Sequence, residues 1–177
     1  MSSQVELRLS GSGGQGLLLA GIILSEAAIG EEKNAIQTQS YGPEARGGAS
    51  KAEVIISDED IDFPKVTAPN VVLALTQVAA DKYVESVRED GIVIIDSKIV
   101  LPETLKARQI ISVPIIETAT EKIGKSIVAN IVAIGVIQAV TQIVSKEAIE
   151  AAVLKRVPKG TEDLNRMALE AGYELVK

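Results

Sequence analysis

Val5-Glu6-Leu7-Arg8-Leu9-Ser10-Gly11-Ser12-Gly13-Gly14-Gln15-Gly16, followed by the apolar run 17–29, is the stretch that decides the fold. Val5, Leu7 and Leu9 alternate with Glu6 and Arg8, a period of two that predicts a strand with one better-buried face. Residues 17–29 are dense in Leu, Ile and Ala and end near Gly30, which predicts a helix. Between them, Gly11, Gly13 and Gly16 fit G-x-G-x-x-G. In that setting glycine permits a tight turn and lets the backbone approach a diphosphate, while the first helical N–H groups and the helix dipole favour the anion. Ser12 adds a hydroxyl donor. The same glycines also suit plain close packing of strand on helix. A nicotinamide dinucleotide site further calls for a carboxylate about twenty residues on, for the ribose. None stands between Lys33 and Tyr41, and Glu31 and Glu32 fall in the turn after the helix.

Outward from this unit, short strands are predicted at 35–39, 52–57, 71–76, 92–96 and 109–113, with a helix at 78–89 stopped by Asp90-Gly91. No helix-length segment separates 35–39 from 52–57, so that pair is expected to be antiparallel or irregularly joined. Residues 92–96 are almost wholly apolar, as in a central parallel strand. The remainder reads as helical: 127–144, apolar nearly all round and so buried in the domain or against another subunit; 146–156; and 161–170, with Thr161 offering an N-cap hydroxyl. The expectation is an α/β, three-layer Rossmann-like fold with a mostly parallel sheet, one antiparallel pair and a helical C-terminal tail. No repeat or linker divides the chain, so 1–177 reads as one domain.

Composition narrows the chemistry. The 177 residues are 46% apolar but only 2% aromatic, and the net charge is -6. An acidic surface opposes phosphate backbones and anionic membranes, so no nucleic-acid or membrane partner is expected. Lys155 and Arg156 read as a solvated helix end. The absence of Cys excludes disulfides and protein-ligated iron–sulfur clusters, and the absence of His excludes imidazole catalysis and imidazole metal sites. No metal site and no catalytic residue is assigned. The N-terminus shows no signal-peptide pattern, and Asn130, Gln138, Thr141 and Gln142 interrupt the longest apolar stretch, so the expected location is cytoplasmic.

A second segment, Gln37-Thr38-Gln39-Ser40-Tyr41-Gly42-Pro43-Glu44-Ala45-Arg46-Gly47-Gly48, reads as a long loop. Arg46 supplies a planar fork suited to phosphate or carboxylate, or pairs with Glu44 in a structural loop. Asp96 and Ser97 end a central strand, where they serve either a ligand or simple capping.

The two glycine-rich segments together resemble the gamma subunit of 2-oxoacid:ferredoxin oxidoreductases, with wording closest to the 2-oxoglutarate branch. Ser50-Lys51-Ala52-Glu53-Val54-Ile55-Ile56-Ser57-Asp58 and Asn130-Ile131-Val132-Ala133-Ile134-Gly135 continue the likeness over nearly the whole chain. The resemblance implies a multi-subunit enzyme that converts a 2-oxoacid and coenzyme A to acyl-CoA, CO₂ and reduced ferredoxin. It places thiamine diphosphate and iron–sulfur clusters in alpha, beta and ferredoxin-like delta partners, with ferredoxin as acceptor. It implies coenzyme A as a shared ligand, with Gly11, Ser12, Gly13, Gly14, Gln15 and Gly16 along a diphosphate or partner contact. Tyr41, Glu44 and Arg46 then lie at the subunit junction or near coenzyme A. The alternatives are a stand-alone Rossmann enzyme using NAD(P) or FAD and a ligand-free assembly scaffold. The isolated chain is expected to be inactive, and the apolar segment 127–144 leads to an expectation of self-association.

Overall fold

The computed structural model describes residues 4–39 and 48–177. Alternating Leu7 and Leu9 turn one face of β1 (Gln4–Gly11) into the core, both with no exposed surface. The glycine turn then feeds α1 (Leu17–Gly30) back along the sheet. β2 (Asn34–Gln39) and β3 (Ser50–Ser57) follow, then β4 (Val71–Ala74), α2 (Gln77–Tyr83), β5 (Ile92–Asp96) and β6 (Gln109–Val113). After a short helix α3 (Ile115–Glu117), which continues as a π-type turn Thr118–Ile123, come α4 (Ala129–Thr141), α5 (Lys146–Arg156) and α6 (Glu162–Glu174).

The six strands order as β2-β3-β1-β4-β5-β6. β1, β4, β5 and β6 are parallel neighbours, while β3 is antiparallel to both β1 and β2. The expected antiparallel pair is therefore one reversed strand that makes two antiparallel ladders. Reversal follows from chain length: ten residues separate β2, ending at Gln39, from β3, starting at Ser50, too few for a crossover helix.

One face of the sheet carries α1, α4, α5 and α6, and the other is covered by α2 and the segment around Ile99, Leu101 and Leu105. Arg8 points to this second face. It is buried and satisfied by Glu53, directly opposite on β3, by the Ser86 hydroxyl at 2.7 Å and by the Val66 carbonyl at 3.2 Å.

Three helix expectations need correction. The helix expected over 78–89 ends at Tyr83 and tightens into a 3₁₀ turn, Val84–Ser86, because the Arg88 N–H is taken by the Pro69 carbonyl. The apolar segment 127–144 is helical only from Ala129 to Thr141; Gln142, at φ 49°, turns Ile143 and Val144 inward. The last helix runs on to Glu174, and Thr161 does not cap it with its side chain: its hydroxyl donates to the Pro158 carbonyl at 2.6 Å instead.

α4 is buried from Ala129 to Gln138 on every side, within this chain. The surplus of apolar residues on α4 thus meets its own domain, which removes the ground for expecting self-association. α6 crosses α4 at Gly135 and Gly172. A Cβ on Gly135 would sit 2.5 Å from the Leu169 carbonyl oxygen, and one on Gly172 would strike the Val132 carbonyl oxygen. At the far end of α1, Glu31 accepts from the Ser145 N–H at 2.5 Å, and Lys33 donates to the Ile143 carbonyl at 2.8 Å. The Ser145 hydrogen bond holds the Glu31 carboxyl below the ordinary carboxylate range.

Two outcomes are expected. Gly135→Ala and Gly172→Ala each lose about 1–3 kcal/mol or more through overpacking, whereas Gly30→Ala, whose Cβ meets nothing within 4 Å, is neutral or slightly stabilising; urea unfolding of the three variants checks this. A depressed carboxylate stabilises the fold above its unfolded pKa and loses that contribution as pH falls through the folded value. Wild type should therefore exceed Glu31→Gln in melting temperature at neutral pH, with the gap closing as the pH is lowered below the ordinary carboxylate value of 4.5.

Candidate functional site

The glycine turn lies at the C-terminal end of β1, next to β4, where the chain passes from one side of β1 to the other and open α/β sheets bind ligands. Each glycine has a different cause. Over Gly11 lies the Gln15 side chain, whose Oε1 accepts from the Ser12 N–H at 2.8 Å; a Cβ on Gly11 would collide with that oxygen. Gln15 therefore braces the turn from within. Among the described residues nothing lies within 4 Å of a Cβ built on Gly14. Gly16 takes φ 71°, ψ 31° as N-cap of α1, a left-handed conformation that L side chains rarely adopt. A Cβ there would also lie 2.5 Å from Asn130 Nδ2.

Asn130, at the start of α4, is 4% exposed. Its Nδ2 donates to the Gly16 carbonyl at 3.1 Å, and its Oδ1 accepts from the Ile131 N–H at 2.9 Å. The amide thus ties the glycine turn to the buried helix 114 positions away in sequence.

Beside the turn opens a cavity of about 460 Å³. Gly13, Gly14, Gly16 and Leu19 form one side, Val128, Asn130 and Ile131 a second, and Val157, Pro158, Thr161, Leu164 and Asn165 the third, with Ile127 at 79% exposure also on its lining. Among the described residues of the lining none is charged. Nothing in the sequence pointed to the third wall except the break at Pro158 and Gly160, because it is assembled from residues about 150 positions from the glycine turn.

Three cations gather on the opposite face of the sheet. Arg8, Lys51 and Lys82 stand 6.0, 5.7 and 5.4 Å from the centre of the buried Tyr83 ring. Lys51 follows Ser50, which pairs with Gly11 in the ladder.

Of the residues singled out from the sequence, Gly11, Ser12, Gly13, Gly14, Gln15 and Gly16 form one turn, while Tyr41, Glu44 and Arg46 lie outside the described residues. Asp96 caps: its carboxylate accepts from the Lys98 and Ile116 N–H groups at 3.1 and 2.9 Å. Arg156 pairs with Glu26, whose carboxyl is held low by that hydrogen bond. Among the described residues no cluster of carboxylates could hold a metal ion, and no helix is long and apolar enough to cross a membrane.

The sheet order also bears on dinucleotide binding. In a dinucleotide fold the strand after α1 lies beside β1 and ends in the ribose carboxylate. Here β3 separates β2 from β1, and β2 ends in Gln39. The stand-alone NAD(P) reading loses both the position and the residue.

Residues 6–175 match the pyruvate ferredoxin/flavodoxin oxidoreductase family. The chain is 51% identical to the 2-oxoglutarate synthase subunit KorC of Methanocaldococcus jannaschii, over 97% of this chain and 94% of that one. The keto/oxoacid ferredoxin oxidoreductase gamma subunit of Geobacter sulfurreducens is 50% identical, with a TM-score of 0.85 over 96% of each chain. The fold alone is shared with a 2-oxoglutarate:ferredoxin oxidoreductase from Magnetococcus marinus, solved with 2-oxoglutarate, coenzyme A and succinyl-CoA bound. There the TM-score is 0.87 at 16% identity, and this chain covers 31% of that one.

The Gly16–Asn130 contact has a measurable signature. Gly16→Ala should cost at least about 1–2 kcal/mol from the left-handed backbone alone, plus the clash with Asn130. In a double-mutant cycle with Asn130→Ala the clash part should vanish and the backbone part persist, so denaturant unfolding should give a favourable coupling for the pair.

Proposed function

The chain belongs to the pyruvate ferredoxin/flavodoxin oxidoreductase family, and on that premise we propose that it is the gamma subunit of a 2-oxoglutarate:ferredoxin oxidoreductase. The assembled enzyme oxidatively decarboxylates the 2-oxoacid with coenzyme A, giving acyl-CoA, CO₂ and reduced ferredoxin. The observation that carries this reading is the correspondence with a 2-oxoglutarate synthase subunit along 97% of the chain.

The chain brings no redox chemistry of its own. It contains no cysteine to ligate an iron–sulfur cluster. In this reading such clusters and thiamine diphosphate belong to alpha, beta and ferredoxin-like delta partners in the cytoplasm, and the chain acts as one gamma-type domain over 1–177. Its contribution is to enclose coenzyme A and to hold the subunits together. Gly11, Ser12, Gly13, Gly14, Gln15 and Gly16 shape the floor of that contact, and Tyr41, Glu44 and Arg46 supply its polar groups. The space over Gly14 among the described residues and the position of Lys51, next to Ser50 opposite Gly11, support this assignment.

Two measurements test it. The purified chain alone should show no turnover of 2-oxoglutarate with coenzyme A and a viologen acceptor, and activity should appear only with the partner subunits; turnover by the single chain overturns the assignment. In the reconstituted complex, Arg46→Ala and Arg46→Lys should both weaken coenzyme A binding or subunit affinity by about 1.5–3 kcal/mol, because the lost contact is charge-assisted and geometrically specific. Unchanged Michaelis constant, turnover and subunit affinity would remove Arg46 from the site.

A further inference from the structure

The sheet order ends at β6, and among the described residues no strand lies on its far side. Its sequence, Gln109-Ile110-Ile111-Ser112-Val113, contains no charge and no proline, and its ladder with β5 runs without a bulge. Edge strands are ordinarily blunted by such devices, because a row of open N–H and C=O groups is a template for another strand. Ile110, in the middle of this edge, is 46% exposed.

The register shows which groups are open. The Gln109 N–H donates to the Gly91 carbonyl at 3.4 Å, and the Val113 carbonyl accepts from the Ser97 N–H at 3.0 Å. Both residues therefore turn their backbone groups toward β5, and by alternation Ile111 does the same. The N–H and C=O of Ile110 and of Ser112 point the other way. Side chains alternate as well: Ile111 is level with Ile94 and packs on the α1 face, while Ile110 is level with Val93 on the α2 face.

We propose that β6 pairs antiparallel with β6 of a second copy of this chain, about a two-fold axis at Ile111, joining the two six-stranded sheets into one. The open groups are arranged symmetrically for this. Ile110 stands opposite Ser112 of the second copy and exchanges both hydrogen bonds with it, and Ser112 does so with Ile110 of the second copy, so every open group finds a partner. The two Ile111 residues meet as a non-hydrogen-bonded pair, with Cα atoms about 4.5 Å apart. Charge sets the orientation. The nearest charged residues flanking the strand are Arg108 before it and Glu117 after it, both exposed. Antiparallel pairing brings the Arg108 end of one copy to the Glu117 end of the other, whereas parallel pairing sets like charges side by side. The contact is isologous and closes on itself, as a two-fold interface must. It is separate from α4, whose apolar surface meets its own domain.

The test uses the purified full-length chain, which has no native cysteine. Sedimentation equilibrium should show a monomer–dimer equilibrium that shifts with concentration. Ser112→Pro should weaken the dimer at least tenfold with an unchanged melting temperature, because the N–H it removes faces away from β5 and proline is tolerated at such edge positions. Ile111→Cys should cross-link two copies under mild oxidation, since the paired Cα atoms lie within disulfide range. Gln109→Cys, on the same face but opposite Val113 of the second copy, is displaced from its own counterpart by about 13 Å along the strand and should not cross-link. Should Ser112→Pro fold poorly, the two cysteine variants decide. A monomer at every concentration, equal cross-linking of both cysteine variants, or a dimer indifferent to a well-folded Ser112→Pro would overturn the proposal. Protection of the Ile110 and Ser112 amides from hydrogen exchange only after partner subunits are added would also overturn it, and would assign the edge to a strand of another chain.

Discussion

The carbonyl of Gly16 and the amide of Asn130, 3.1 Å apart, hold together the two parts of the molecule that matter most. Gly16 must be left-handed for α1 to begin where it does, and the space its missing side chain leaves is where Asn130 sits. That contact sets the depth of α4 beneath the glycine turn. α4 can lie so deep only because α6 crosses it glycine on glycine, at Gly135 and Gly172, with backbone against backbone. The cavity between the three helix starts exists because both close approaches are met at once.

The reversed strand is the second constraint. By lying antiparallel between β1 and β2, β3 occupies the place where a dinucleotide fold would seat the ribose. It also brings Ser50 opposite Gly11, so the stem of the second glycine-rich segment stands beside the first. A fold with the outline of a dinucleotide domain is thereby turned toward a different use, one that fits a subunit of an oxoacid:ferredoxin oxidoreductase better than a hydride-transfer enzyme.

Arg8, Lys51 and Lys82 gather around Tyr83 on the α2 face, while the described lining of the cavity on the α1 face consists of helix ends, amides and aliphatic side chains.

Local patterns alone determined the strand–turn–helix unit at the start, the boundaries of β5 and β6 and the extent of α5; for β3 they left an antiparallel or an irregular join, which the ladders with β1 and β2 decide. Period, glycine placement and loop length are properties of neighbouring residues and need no tertiary information. The exclusion of imidazole and thiolate chemistry was equally legible, since it rests on residues that are absent. What α4 is buried against was not: an all-apolar helix reads the same whether a sister helix or another subunit covers it, and only the Gly135–Gly172 crossing decides. Gln15 as an internal brace and Thr161 bonding back to Pro158 instead of capping likewise depend on the direction in which side chains point once the chain has folded. The third wall of the cavity comes from the α5–α6 junction, and no local pattern carries a contact between residues so far apart in the chain.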